Sequence, residues 1–161
     1  MKTLLLMRHG KSLHNEYVHS DLQRHLNAKG YAEVKAAAAW CNEHGYNPDL
    51  FVSSPAIRAY STAVITAQFM AYPPGMILLK DSIYEASART LLYLVQSLPP
   101  EATMVALFGH NPGFTDLIKS LAPGSIDHLV TAGVAVISLN IEHWKDAGPG
   151  LGQLINKYLD A

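Results

Sequence analysis

The chain has one cysteine, Cys41, and charged residues make up only 16% of its 161 positions. A lone thiol cannot form an internal disulfide, so the sequence predicts a reducing compartment, with the cytoplasm as the default. Basic and acidic residues nearly cancel, leaving a net charge of −1. No general attraction to nucleic acid or to an anionic membrane is therefore expected, and any anion site has to be built locally. Long apolar runs are also missing. The longest, 3–7 and 133–139, fall far short of the roughly 20 residues a membrane-spanning helix needs. The N-terminal stretch meets Arg8-His9 too early for the apolar region and cleavage site of a signal peptide. There is no internal repeat, low-complexity tract or Gly/Ser linker, which predicts one domain over residues 1–161. No exposed apolar stripe calls for a partner, so a monomer is expected.

What the chain does contain is apolar residues, 49% of the total, arranged as strands alternating with helices. Residues 3–7 are apolar without alternation, the pattern of a strand covered on both faces. A polar loop follows to about Asn27. A helix is predicted over 28–43, favoured by the run Ala36-Ala37-Ala38-Ala39 and ended by Gly45 and Pro48. Residues 49–53 read as a second strand. Ser53-Ser54-Pro55 then places a capping serine before a proline at the start of a helix running from about Pro55 to Met70. A third strand is expected at 76–79 and a helix at 87–98, stopped by Pro99-Pro100. Residues 103–108 form another apolar strand, with a helix from Pro112 to about Leu121. Residues 131–141 read as a strand, and 154–159 as either its antiparallel neighbour or a short terminal helix. This order implies an α/β fold, a three-layer α/β/α sandwich whose sheet is mostly parallel.

In open α/β sheets the ligand lies beyond the carboxyl ends of the strands. Arg8-His9-Gly10 follows the first strand, Ser53-Ser54 and then Arg58 follow the second, and Gly109-His110-Asn111 follows the strand ending at Phe108. Two arginines and two histidines are thus delivered to one sheet edge. Phosphoryl transfer suits such a set. The planar donor fork of arginine matches phosphate oxygens. A histidine beside two arginines is disfavoured as imidazolium, so it keeps a lone pair at neutral pH and can act as a nucleophile. His9 is the candidate, with His110 holding the phosphoryl oxygens as charge develops. Gly10 and Gly109 would let the backbone come close to the ligand. Glu85, in the loop after the third strand, could give a proton to the leaving oxygen and then activate water.

These residues also carry a resemblance. Leu4-Leu5-Leu6-Met7-Arg8-His9-Gly10 resembles the strand and R-H-G signature of the histidine phosphatase superfamily, which also contains the cofactor-dependent phosphoglycerate mutases. Arg24-His25-Leu26-Asn27-Ala28-Lys29-Gly30 is similar to its R-x-L-x-x-x-G segment, and the stretch from Ser53 to Ala63 to its S-S-P-x-x-R-A-x-x-T-A segment. Phe108-Gly109-His110-Asn111-Pro112-Gly113 matches the second histidine. Within the superfamily the chain looks closest to the SixA-like phosphohistidine phosphatases, having no room for the insertions that wall in the mutases' substrate. The resemblance implies a phosphoglycerate mutase-like fold, no cofactor, and hydrolysis of phosphoryl groups through a phosphohistidine on His9. It further implies that Arg8, Arg58 and His110 form the phosphate pocket, with Arg24 at its rim. A phosphorylated protein is the expected substrate, and signal transduction the expected setting. Lys11 and the Ser12-x-x-Asn15 arrangement resemble the mutase side as well, which makes Asn15 a candidate substrate contact and keeps a small phosphate ester open as the alternative substrate.

Each residue also has a plainer reading. Arg58 could be an exposed helix arginine paired with an acid, His110 a satisfied loop histidine, and Glu85 a solvated carboxylate. His14, His19, His25, His44, His128 and His143 read as surface residues, since no pair has the close helical spacing, backed by carboxylates, of a metal site. No metal is expected. A non-enzymatic phosphate-binding module on the same fold is a further reading. The nucleophile at His9 argues against it.

Overall fold

The computed structural model describes residues 1–14 and 20–159. Strand β1 (Lys2–Arg8) leads through a polar loop to helix α1 (Ala28–Glu43). The following pairs are β2 (Leu50–Ser53) with α2 (Ile57–Phe69), β3 (Leu78–Leu79) with α3 (Ala88–Gln96), and β4 (Met104–Gly109) with α4 (Gly113–Leu121). The chain ends in β5 (Val134–Leu139) and β6 (Gly152–Tyr158). The sheet order is β3-β2-β4-β1-β5-β6. β3, β2, β4 and β1 run parallel, while β5 is antiparallel to β1 and β6 to β5.

The uninterrupted apolar character of β1 follows from burial on both faces. Leu4 and Leu6 point to one side, packed with Val105, Leu107 and Ile137 beneath Leu91, Val95, Leu117 and Ile118 of α3 and α4. Leu5 and Met7 point to the other, packed with Ala106, Phe108 and Val136 beneath Val34, Ala37, Ala63 and Ala67 of α1 and α2. Successive strand residues alternate faces, so the two helix pairs cover opposite sides and the three layers expected from the sequence form. Leu4, Leu5, Leu6 and Met7 have no solvent exposure at all. At roughly 1.5–3 kcal/mol for each fully buried large apolar side chain, this strand anchors the sheet.

The structure refines three expectations. The last segment is the antiparallel strand, not the helix: its exposure alternates residue by residue through 152–158, the period of two that an edge strand shows. The strand expected at 76–79 shrinks to Leu78–Leu79, because Pro74–Met76 forms a 3-10 turn with proline, fixed near φ −65° and lacking an N–H, at its start. Helix α2 begins at Ile57, and the residue before it, Ala56, provides no side-chain cap. The serine expected to cap it is used elsewhere. Among the described residues no helix is long and apolar enough to cross a membrane.

Candidate active site

β1, β2 and β4 end side by side, with Arg8 paired to Gly109 and Ser53 to Phe108 in the sheet register. Their following residues meet around a cleft of about 540 Å³. Arg8, His9, Arg58 and His110 line it, as do Arg24, Lys11 and His14.

His9 is held from three directions. Its amide donates to the Gly109 carbonyl, and its carbonyl accepts from the Ala132 amide. The residue is 8% exposed, and its ring Nδ1 lies 2.7 Å from the Gly10 carbonyl oxygen. A carbonyl oxygen only accepts, so Nδ1 carries the hydrogen and Nε2 keeps the lone pair. Burial, and then the charges of Arg58 and Arg8, push the imidazolium down to about 4 against the opposing Gly10 hydrogen bond. At neutral pH the ring is neutral, with Nε2 ready to attack.

His110 lies beside it, ring centroids 5.2 Å apart, with the Tyr84 ring edge-on at 5.6 Å. Burial, reinforced by His9 and Arg58, pushes His110 down to about 3. Its Nε2 is 2.8 Å from Ser54 Oγ, and that hydroxyl already accepts the Ala56 amide at 3.2 Å. With the Ser54 hydrogen given to Nε2, the ring hydrogen of neutral His110 sits on Nδ1. That Nδ1 is buried and has no hydrogen-bond partner among the described residues. The Ser-Ser-Pro segment thus supplies a support for the second histidine where sequence reading saw a helix cap.

The arginines are anchored at one end and unspent at the other. Arg8 Nη1 donates to the Leu129 carbonyl at 3.1 Å, while its Nε is buried without a partner among the described residues. Asn111 Nδ2 donates to that same carbonyl at 2.7 Å. Arg58, only 5% exposed, gives Nη1 to the Asp21 carbonyl at 2.7 Å and Nη2 to Asp21 Oδ2 at 2.9 Å. Its Nε is likewise buried and unpartnered among the described residues. Arg24 Nε donates to Asp21 Oδ1 at 2.9 Å, and its Nη1 to Ser12 Oγ and the Leu13 carbonyl. Buried polar groups are normally paired. Two arginine Nε–H donors and one histidine nitrogen are without a partner among the described residues, and all three belong to side chains that line one cleft, the set a tetrahedral oxyanion would call on.

The glycines work differently from the expectation. A Cβ at Gly10 would sit 2.7 Å from Val34 Cγ2 and 2.9 Å from the Gly30 carbonyl, and the Gly10 amide is spent on Thr62 Oγ1 at 3.2 Å. A Cβ at Gly109 would meet the Phe114 ring at 2.6 Å. Both are small so that helices can press against the strand ends, not to admit a ligand. Glu85 is exposed, takes a left-handed φ of +54°, and is not among the cleft-lining residues. This does not give it the contact with a leaving group expected of a proton donor. Asn15 and His19 lie outside the described residues. Sequence reading placed Ser54 at the sheet edge but gave it only a capping role, and it missed Asp21. The only local signal for Asp21 is a carboxylate three residues before Arg24.

Residues 4–77 match the model of the histidine phosphatase superfamily (branch 1). Over those residues, just under half of the chain, the sequence carries the pattern of this superfamily. That match and the phosphatases among the structures that share its fold support a phosphatase. It is similar to the SixA of Agrobacterium tumefaciens, assigned as a phosphohistidine phosphatase, with 26% identity, a TM-score of 0.82, and 98% of this chain and 97% of the other covered. A mycobacterial glucosyl-3-phosphoglycerate phosphatase in complex with VO3 shares the fold at 18% identity and a TM-score of 0.71, covering 97% of this chain and 98% of the other. An uncharacterized chloroplast protein of Arabidopsis thaliana is 26% identical over 161 residues, which span 92% of this chain and 73% of that protein.

Proposed function

We propose that this phosphatase removes phosphoryl groups from phosphohistidine in proteins, through a covalent intermediate on His9. The observation that carries the reading is the His9 ring itself: Nδ1–H is committed to the Gly10 carbonyl, so Nε2 is the nucleophile in a cleft that Arg8, Arg58 and His110 also line. In the first step the Nε2 lone pair attacks phosphorus. The bond from phosphorus to the substrate nitrogen breaks, its electron pair staying on the departing imidazole, which takes up a proton. In the second, water attacks phosphorus, the P–Nε2 bond breaks with its pair returning to Nε2, and the water's proton leaves with the phosphate or solvent. Arg8, Arg58 and His110 hold the phosphoryl oxygens through both steps.

The leaving group favours a phosphoramidate over an ester. An alkoxide needs a proton as it departs, and no carboxyl group lines the cleft among the described residues. An imidazole needs far less help. A phosphoprotein also suits a cleft with no covering insertion among the described residues, and the buried lone cysteine suits a reducing cytoplasm. A small phosphate ester remains the second reading, supported by the likeness to a glucosyl-3-phosphoglycerate phosphatase.

A phosphohistidine peptide and a panel of sugar phosphates assayed side by side separate the two. Release of phosphate from the peptide at a kcat/KM at least tenfold above that for any sugar is expected; hydrolysis confined to the sugars overturns the substrate assignment. Single-turnover labelling quenched in alkali, which preserves phosphohistidine, is expected to trap label on the wild type and none on His9→Ala, which should not turn over.

A further inference from the structure

Asp21 is the one acidic side chain paired with the site's arginines among the described residues, and it ties together three parts of the chain. Its Oδ1 takes Arg24 Nε, while its Oδ2 takes Arg58 Nη2 and the Tyr84 hydroxyl. Its main-chain oxygen takes Arg58 Nη1. A guanidinium is planar and offers two paired edges, one between its Nη atoms and one between Nε and Nη2. Asp21 occupies the first with two acceptors at 2.7 and 2.9 Å. The second is left, and its Nε–H is the buried donor with no partner among the described residues.

We propose that Asp21 is a positioning residue of the phosphate site: it grips the Nη end of Arg58, fixing the plane of the guanidinium so that the edge of Nε and Nη2 is presented to the phosphoryl group. The proposal rests on the reading of the cleft as a phosphate site and adds a residue that acts on the anion through Arg58. Tyr84 locks the carboxylate in turn, since its hydroxyl donates to the oxygen that Arg58 Nη2 uses. The side chain of Asp21 is 35% exposed, so the clasp lies at the cleft's edge and not in the core.

The sign of its effect makes the idea testable. Considered as a charge alone, a carboxylate beside two arginines repels an incoming anion, and its removal should tighten anion binding. As the clasp of a fork, its removal should weaken binding, because a freed arginine has to be ordered again whenever the anion binds. Tungstate, a tetrahedral oxyanion, is the probe, titrated calorimetrically into wild type, Asp21→Ala, Asp21→Asn and Tyr84→Phe. Asp21→Ala is expected to raise the tungstate Kd about tenfold or more, the scale of one lost charge-assisted hydrogen bond. Asp21→Asn, which keeps one acceptor oxygen and the main-chain contact, is expected to fall between, and Tyr84→Phe to show a smaller weakening in the same direction. With phosphate ester or phosphohistidine peptide the loss should appear in kcat/KM. An unchanged or lower tungstate Kd in Asp21→Ala overturns the proposal. Should Asp21→Ala not fold, Asp21→Asn and Tyr84→Phe decide by the same sign. Failure of the wild type to bind tungstate at all refutes instead the phosphate-site reading on which the proposal stands.

Discussion

At the residue scale, protonation is set by partners and not by residue type. His9 and His110 are both held neutral, by burial first and neighbouring charge second, yet they present different nitrogens: Nε2 at His9 because Gly10 takes Nδ1, and Nδ1 at His110 because Ser54 takes Nε2. One ring becomes a nucleophile and, with the Ser54 hydroxyl donating to Nε2, the other a donor. Ser54→Ala removes the hydroxyl that selects the His110 hydrogen position. It is expected to lower kcat/KM about tenfold with little change in fold, the order of one hydrogen bond to a developing charge. Glu85→Gln in the same assay is expected to stay within about threefold of wild type on phosphohistidine, since a phosphoimidazole makes little use of an acid. A hundredfold loss there would restore Glu85 as the proton donor. The positions of Arg8, His9, Arg58 and His110 were legible because each sits within a few residues of the end of an apolar strand. Asp21 and the role of Ser54 were not. Their partners stand 37 and 56 positions away, and nothing local distinguishes them from any loop carboxylate or helix-flanking serine.

At the scale of elements, the strands and helices that read clearly were those with buried, continuous or periodic apolar faces. The 28–43 helix is present over those same residues, its first turn fastened by Asn27 accepting the Gly30 amide at 2.7 Å. The uncertain parts were those whose form depends on neighbours: a terminal segment that needs β5 to pair with, and a third strand only two residues long. Gly30 shows how α1 shapes the site. A Cβ there would run into the main chain of Lys11, so the helix can press against the loop after His9 only because the side chain is absent. Gly30→Ala is expected to cost stability by about 1–3 kcal/mol, the usual penalty of overpacking, and to reduce activity beyond that by displacing residues 10–11. A thermal melt with a parallel assay well below the transition checks both. Wild-type activity in a folded Gly30→Ala protein would show that the loop tolerates the shift.

For the whole molecule, the depressed histidines couple the site to acid stability. In the unfolded chain they take protons near the reference value of about 6.5, but in the folded protein only near about 4 for His9 and about 3 for His110. As pH falls below 6.5 the unfolded state binds protons the folded state refuses, so stability drops towards pH 3. The melting temperature is expected to be lower at pH 5 than at pH 7.5, with a shallower decline in His9→Gln. A slope identical in the two proteins would mean that His9 does not contribute. Saturating tungstate should raise the melting temperature, because an anion bound only to the folded form stabilises it by mass action.

The placement of β1 has a bearing on durability. The nucleophile extends from a strand that is bonded on both flanks, by β4 and β5, and covered on both faces. Segments with such surroundings open only when the entire fold does. His9 itself should therefore keep its place while the margins fray, and a decline in catalysis before global unfolding would trace to the edge of the cleft, where Asp21 holds Arg58.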